Sequence, residues 1–195
     1  MPLQIKTVLN SDVQRLIDLW LSCFTDDEAD YPREFLQFVD LSTDACVGFV
    51  NGKPVTMLFL LPATARSGKI TQCVRYLYAG CTHPDYRRRG YYEELLAYAV
   101  AKVKEWGEEA IYLYPAEKSL FAYYERLGYR AGITCAPYDE DSFWWEPDEP
   151  FRSFFFAAQG ECETRGECLW IPAREDSNIV EIMKKNHART RLVGN

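Results

Sequence analysis

The chain has 195 residues, 48% of them hydrophobic and 15% aromatic, enough to bury one good-sized core and too few for a second large domain. A net charge of -7 excludes the extended basic face of a nucleic-acid binder. No stretch approaches the roughly 20 apolar residues that span a bilayer, and the opening Met1-Pro2-Leu3-Gln4-Ile5-Lys6 lacks an apolar signal core, so a single cytoplasmic domain over residues 1–195 is expected.

In chain order, Leu3 to Val8 is strand-like, and Ser11-Asp12-Val13-Gln14 reads as a capping box. It opens a helix with Val13, Leu16, Ile17, Trp20, Leu21 and Phe24 on one face. An acidic segment follows, carrying Asp26, Asp27, Glu28 and Asp30, and then a short amphipathic pattern from Pro32 to Val39. Cys46 to Val50 and Pro54 to Leu61 flank Asn51-Gly52-Lys53, a hairpin signal because Asn-Gly accommodates the positive φ values of a type I′ turn. Pro54 fits the start of its strand, where its missing N–H costs little.

Between a strand-like run, Tyr76 to Thr82, and the strongest helical pattern, Tyr91 to Trp106, lies Arg87-Arg88-Arg89-Gly90-Tyr91-Tyr92. Apolar and aromatic residues at Tyr92, Leu95, Leu96, Ala99, Val100, Val103 and Trp106 recur as one buried helix face, and Gly107 closes it. A strand feeding a short loop into a helix N-terminus aims backbone N–H groups and the positive end of the helix dipole outward, which attracts phosphate. Gly90 lets a phosphate approach the backbone, and arginines add charge-assisted, forked hydrogen bonds. In a chain this acidic the triplet reads as a local anion site, against the plainer reading of a solvated charge run.

Beyond that helix, Ala110 to Tyr114 is a short strand ended by Pro115, and Ser119 to Leu127 a helix with Gly128 at its C′ position. Tyr124 falls in its last turn with Leu120, Phe121 and Leu127, and from the residues alone reads first as a core aromatic. Strand candidates in the tail are Gly132 to Pro137, Phe151 to Ala158 and Glu167 to Ile171, with a helix over Asn178 to Lys185. Asp139-Glu140-Asp141 and Glu146 to Glu149 flank Phe143-Trp144-Trp145 as an acidic loop with an aromatic centre.

Cysteines at 23, 46, 73, 81, 135, 162 and 168 are an odd set with no Cys-x-x-Cys pair, and the chain has two histidines. Neither a disulfide framework nor a metal site is suggested. Most sit in apolar runs such as Ala45-Cys46-Val47 and Gln72-Cys73-Val74, where a free thiol packs as a small hydrophobe, and no histidine stands in an obvious partner arrangement for a nucleophilic one.

Thr82-His83-Pro84-Asp85-Tyr86-Arg87-Arg88-Arg89-Gly90, followed after one helix and one strand by Tyr124-Glu125-Arg126-Leu127-Gly128-Tyr129, resembles the GNAT superfamily of acetyl-CoA-dependent N-acetyltransferases in the order and spacing of its motifs. The family's acyl-CoA signature, Gln/Arg-x-x-Gly-x-Gly/Ala, is met by Arg87-x-x-Gly90-x-Tyr92. Tyr92 departs from the usual small residue, and the Arg-Arg-Arg-Gly form with a bulky residue there is similar to the branch of the enhanced-intracellular-survival acetyltransferases. The resemblance covers Leu3 to Tyr129 and fades beyond.

What it implies is an α/β (α+β) domain with a mixed, mostly antiparallel central sheet flanked by helices, its fourth and fifth strands splayed for the pantetheine arm. The backbone of Gly80, Cys81 and Thr82 would bond the pantetheine amides and acetyl carbonyl, and Arg87, Arg88, Arg89, Gly90, Tyr91 and Tyr92 would hold the pyrophosphate. Tyr124 matches the tyrosine kept near the cofactor sulfur and would act as general acid. Glu117 stands where many members place an asparagine and is not counted as a ligand. The implied activity is direct transfer from acetyl-CoA, without a metal, to a primary amine in a ternary complex; the alternative is a non-catalytic acyl-CoA sensor or interaction module.

Such chemistry needs a neutral amine, a stabilised oxyanion and a protonated leaving thiolate. The base is unassigned, His83 being read as a loop residue beside Pro84. An acidic, aromatic rim made of Asp26 to Asp30 and the loop around Phe143 to Trp145 would favour a cationic acceptor, although both segments equally fit solvated loops. Monomer and homodimer stay open, because Phe151 to Phe156 fits either pairing across a dimer or completing the sheet.

Overall fold

Asn51 and Gly52 take left-handed φ values of 50° and 71°, and the two strands they join, β2 (Ala45–Val50) and β3 (Lys53–Ser67), pair antiparallel as the Asn-Gly signal predicts. In this computed structural model, residues 2–67, 70–134, 143–151, 153, 167–174, 177 and 179 are described. The chain divides into two compact units, one of Met1–Leu61 with Leu77–Ala99 and one of Pro62–Tyr76 with Val100–Asn195. Three elements run from one into the other: β3, β4 (Ile70–Thr82) and α3 (Tyr91–Glu105). The fold is mixed α/β with a mostly antiparallel sheet, as expected from the sequence.

In the first unit, β1 is confined to Gln4–Ile5 and pairs antiparallel with Phe49 and Gly48 of β2. A 3-10 turn, Asn10–Asp12, precedes α1 (Val13–Cys23). The capping box expected at Ser11 does not form on α1, whose N-cap Asp12 makes no side-chain cap hydrogen bond; Asp12 instead reaches back across the 3-10 turn, its carboxylate accepting from the Leu9 N–H at 3.2 Å and from Arg15 at 3.0 Å, and it is buried despite its charge. Helix α2 (Asp30–Phe38) starts ahead of Pro32, which the first helical turn tolerates. Leu16, Ile17, Leu19 and Trp20 make the buried face of α1. Trp20 is ringed by Phe24, Tyr31, Phe35, Phe59 and Tyr78 at centroid distances of 5.3 to 6.1 Å, so the core here is an aromatic cluster joining both helices to β3 and β4.

In the second unit, the far half of β3 pairs antiparallel with β7 (Phe143–Pro147), from Ala63↔Pro147 to Ser67↔Phe143. This corrects the expected acidic loop around Phe143 to Trp145: non-local pairing makes it a strand. β5 (Ala110–Leu113) pairs along its whole length with β8 (Glu167–Pro172), antiparallel, and β8 also pairs with β6 (Arg130–Thr134). With β4 it forms a parallel pair at only two positions, Arg75↔Ile111 and Tyr76↔Tyr112, where the Tyr76 and Tyr112 rings stack at 5.0 Å. α4 (Ser119–Arg126) ends in a turn completed by Gly128 at φ 92°. Phe151 and Ser153 are helical, against the expected strand. The rest of Phe154 to Ala158, Asp139 to Asp141 and nearly all of Asn178 to Lys185 lie outside the described residues. Among the described residues no helix is long and apolar enough to cross a membrane.

Arg75 of β4 ties this unit together at the turn that Gly107 makes after α3. Its guanidinium grips Glu108 through two 2.7 Å hydrogen bonds and lies 4.4 Å from the Trp106 ring centroid, with the two side chains only 10% and 16% exposed. Removing one member of such a pair leaves the other charge in a poorly hydrated place. Glu108→Ala is expected to lower the unfolding free energy by about 3 kcal/mol, and equilibrium urea denaturation of parent and variant measures it.

Candidate functional site

The arginine loop is built from its own backbone. After β4 ends at Thr82, the His83 N–H donates to the Val55 carbonyl (2.9 Å) and a 3-10 turn, Pro84–Tyr86, follows. His83 Nδ1 accepts from the Asp85 N–H at 3.2 Å, which makes His83 a loop-shaping residue, as read from the sequence. Arg87 Nε donates back to the Thr82 carbonyl (3.0 Å), and Arg89 donates to the Asp85 carbonyl (2.8 Å) with its guanidinium 5.2 Å from the Tyr86 ring centroid. All three arginines are exposed. Arg88 and Gly90 take φ values of 60° and 78°, and nothing lies within 4 Å of where a Gly90 Cβ would point. The Gly90 carbonyl accepts from the Glu94 N–H (3.0 Å), so α3 begins at Tyr91 with its positive end on the loop. Tyr91 is buried against Val50 and Val55 and fixes that helix start. Three guanidinium groups, a helix N-terminus and open space over a glycine make a site for a phosphate-bearing ligand.

The end of β4 is irregular. Ala79 has φ 48°, a left-handed conformation uncommon for a residue with a side chain. Leu77 and Gly80 lie on one face, that of α3, while Tyr78 meets Trp20 and Phe35 on the face of α1 and α2. Cys81 shares that second face, its thiol hydrogen-bonded to Cys23 of α1. Strict alternation would put positions 77 and 80 on opposite faces; one bulged residue between them puts them on the same face. The Thr56 hydroxyl donates to the Cys81 carbonyl (2.9 Å) and pairs with the Thr82 hydroxyl (2.9 Å). One lone pair of the Cys81 carbonyl is therefore held within the protein. Tyr92, half-buried, lays its phenol against Gly80.

Cys23 was not singled out by the sequence. The structure brings it from the end of α1 to Cys81, Ser22 and Arg87. The hydrogen bond from Cys81, then the Ser22 hydroxyl and the Arg87 charge, outweigh partial burial and hold the Cys23 thiol at about 6. Burial, and then the neighbouring Cys23, push Cys81 well above the ordinary thiol range, so Cys23 carries the charge and Cys81 keeps its proton. Cys46 and Cys168 are buried as expected, whereas Cys73 is exposed, which corrects its reading as a packed thiol; Cys135 and Cys162 lie outside the described residues.

The acidic segment between α1 and α2 is partly committed to the fold. Asp27 accepts from the Trp20 indole N–H at 2.6 Å, and Asp30 pairs with Arg33 at 3.1 Å. Asp26 and Glu28 are its remaining carboxylates. Beneath it the Tyr31 and Tyr78 hydroxyls share a 2.7 Å hydrogen bond.

In the second unit, Tyr124 is buried in the last turn of α4, its ring 5.3 Å from both Tyr123 and Tyr129. Glu117 accepts from the Ser119 hydroxyl at 2.6 Å, a local contact at the start of α4.

A profile of the acetyltransferase (GNAT) domain matches residues 4–132. No curated protein matches the chain. Among solved structures it is similar to a GCN5-related N-acetyltransferase from Anabaena variabilis at 20% identity and TM-score 0.60, over 68% of this chain and 33% of that one. It is also similar to Eis1 from Mycobacterium abscessus, at 15% identity and TM-score 0.56 over 71% and 37%. A third likeness is to a GNAT family N-acetyltransferase from Escherichia coli in complex with CoA, at 17% and 0.56 over 74% and 81%. The chain spans about a third of the length of the first of these.

Among the described cysteines, the Cys23 environment makes its thiol the first to react with an alkylating reagent. With a thiol at about 6, iodoacetamide labelling followed by peptide mass spectrometry should rise through that pH and level off above it. An ordinary thiol, at about 8.5, is still rising there. Labelling of Cys23 no faster at pH 7 than that of exposed Cys73 would contradict the assignment.

Proposed function

Because the chain belongs to the GNAT acetyltransferase family, we propose that it transfers an acetyl group from acetyl-CoA to a primary amine of a small molecule or peptide, by direct attack in a ternary complex. The observation that carries this reading is the exposed arginine triplet at the N-terminus of α3, with open space over Gly90, joined within a few residues to the irregular end of β4. The pyrophosphate would lie on the backbone of Gly90, Tyr91 and Tyr92 between Arg87, Arg88 and Arg89. Arg87 and Arg89 each spend one N–H on a loop carbonyl, which orients the rest of the guanidinium.

Acetyl-CoA supplies the thioester carbonyl that the amine attacks. The β4 backbone from Gly80 to Thr82 would bond the pantetheine amides as a neighbouring strand does, and a backbone N–H at Cys81 or Thr82 would stabilise the oxyanion. Tyr124 is proposed as the acid that protonates the departing thiolate, on the strength of its place in the Tyr124 to Tyr129 motif. Asp26 and Glu28 support a preference for a cationic acceptor through charge steering. The Arg-Arg-Arg-Gly loop followed by bulky residues supports a place near the enhanced-intracellular-survival branch. The competing sensor reading rests on the departures at Tyr92 and Glu117, and the packing of the Tyr92 phenol against Gly80 weakens the first of these.

Chromatographic release of CoA from acetyl-CoA, measured against polyamines, aminoglycosides, amino acids and lysine peptides, tests the proposal. Turnover with one amine class is expected, falling by roughly 10² to 10³ in kcat for Tyr124→Phe. Gly90→Asp, which adds a charge and a side chain at φ 78°, should abolish CoA binding in calorimetry. Unchanged turnover in Tyr124→Phe would remove it from the mechanism. Tight CoA binding without turnover across the panel would favour the sensor.

A further inference from the structure

The departure at position 92 and the bare position 80 are two sides of one contact. A Cβ on Gly80 would overlap the Tyr92 hydroxyl and stand 3.0 Å from its Cζ, with Leu77 Cδ2 at 3.2 Å. Real Cβ atoms do not approach so closely, so a side chain at position 80 requires the Tyr92 phenol to move from where it lies. This differs from Gly90 and Gly52, which are held at positive φ with nothing within 4 Å. The tyrosine occupies the place of a side chain one residue past the bulge at Ala79.

We infer that Tyr92 is a positioning residue for acyl-CoA: its phenol, laid against Gly80 on the α3 face of β4, holds the bulged backbone of Ala79 to Cys81 in the orientation that receives the acyl end of the ligand. The inference rests on the acyl-CoA reading of the site. Tyr92 is the second residue of α3, and its neighbour Tyr91 is locked against Val50 and Val55. The helix start that would hold the pyrophosphate and the strand end that would hold the pantetheine are thereby spaced by one rigid aromatic side chain. On the opposite face, Cys81 is held at its carbonyl by Thr56 and at its thiol by Cys23. Tyr92 is the support from below. A small residue at position 92, usual in this signature, would leave that support to something else.

Substitutions at the two positions should therefore interact. With the folded parent binding CoA in calorimetry, Gly80→Ala is expected to weaken binding about tenfold, the equivalent of one hydrogen bond lost from the displaced strand end. Adding Tyr92→Phe removes the overlapping oxygen and leaves the ring carbon at 3.0 Å as the nearest contact, so the double variant should recover to within about threefold of the parent. Tyr92→Ala alone keeps position 80 unstrained and should raise KM for acetyl-CoA about tenfold without moving KM for the amine. A residue that only stabilises the fold would lower the melting temperature and leave the acetyl-CoA KM where it was, and that outcome overturns the inference. So does a Gly80→Ala variant that binds CoA like the parent, or a double variant no better than Gly80→Ala. A folded parent that binds no CoA overturns the acyl-CoA reading and this inference with it; in that case melting temperatures would still show whether the Gly80 and Tyr92 contact exists.

Discussion

One left-handed residue near the end of a strand, Ala79, decides which side chains meet at the candidate site. Regular alternation after Leu77 would point position 80 at α1 and position 81 at α3. The extra residue reverses both. Cys81 then meets Cys23, Gly80 meets Tyr92, and the chain leaves β4 toward the arginine loop. The strain of φ 48° at an alanine is tolerated because both faces of the strand are held, one by the aromatic cluster around Trp20 and the other by α3.

The arginine loop achieves its shape differently. It relies on hydrogen bonds within a few residues of sequence, from Arg87 to Thr82, Arg89 to Asp85 and Asp85 to His83, and on a glycine whose conformation no other residue adopts as cheaply. A site made this way has a preorganised backbone and exposed, oriented charge at its rim. Such a division suits a ligand with a fixed pyrophosphate geometry and a net negative charge.

That contrast explains what was legible beforehand. Turn and helix signals contained within a few residues match the structure at the Asn51-Gly52 hairpin, the α3 periodicity closed by Gly107, the loop role of His83 and the α4 turn at Gly128, though not at the Ser11 capping box. Features made by distant pairing were not legible. Phe143 to Trp145 looked like a loop because acidic residues flank it, but β3 recruits it as a strand. Cys23 and Cys81 are far apart in sequence, and nothing in either local context announces the hydrogen bond between them. Tyr92 was legible as a departure from a signature and illegible as a partner of Gly80. Asp27 looked like part of an acidic rim, and only the structure shows its carboxylate committed to the Trp20 indole.

The Gly80 and Tyr92 contact also constrains the order in which this sequence can change over time. While the phenol lies there, a side chain at position 80 displaces it; once position 92 has shrunk, position 80 is released to vary. A lineage can thus lose the tyrosine first and decorate the strand afterwards, but the opposite order passes through an overlap of atoms.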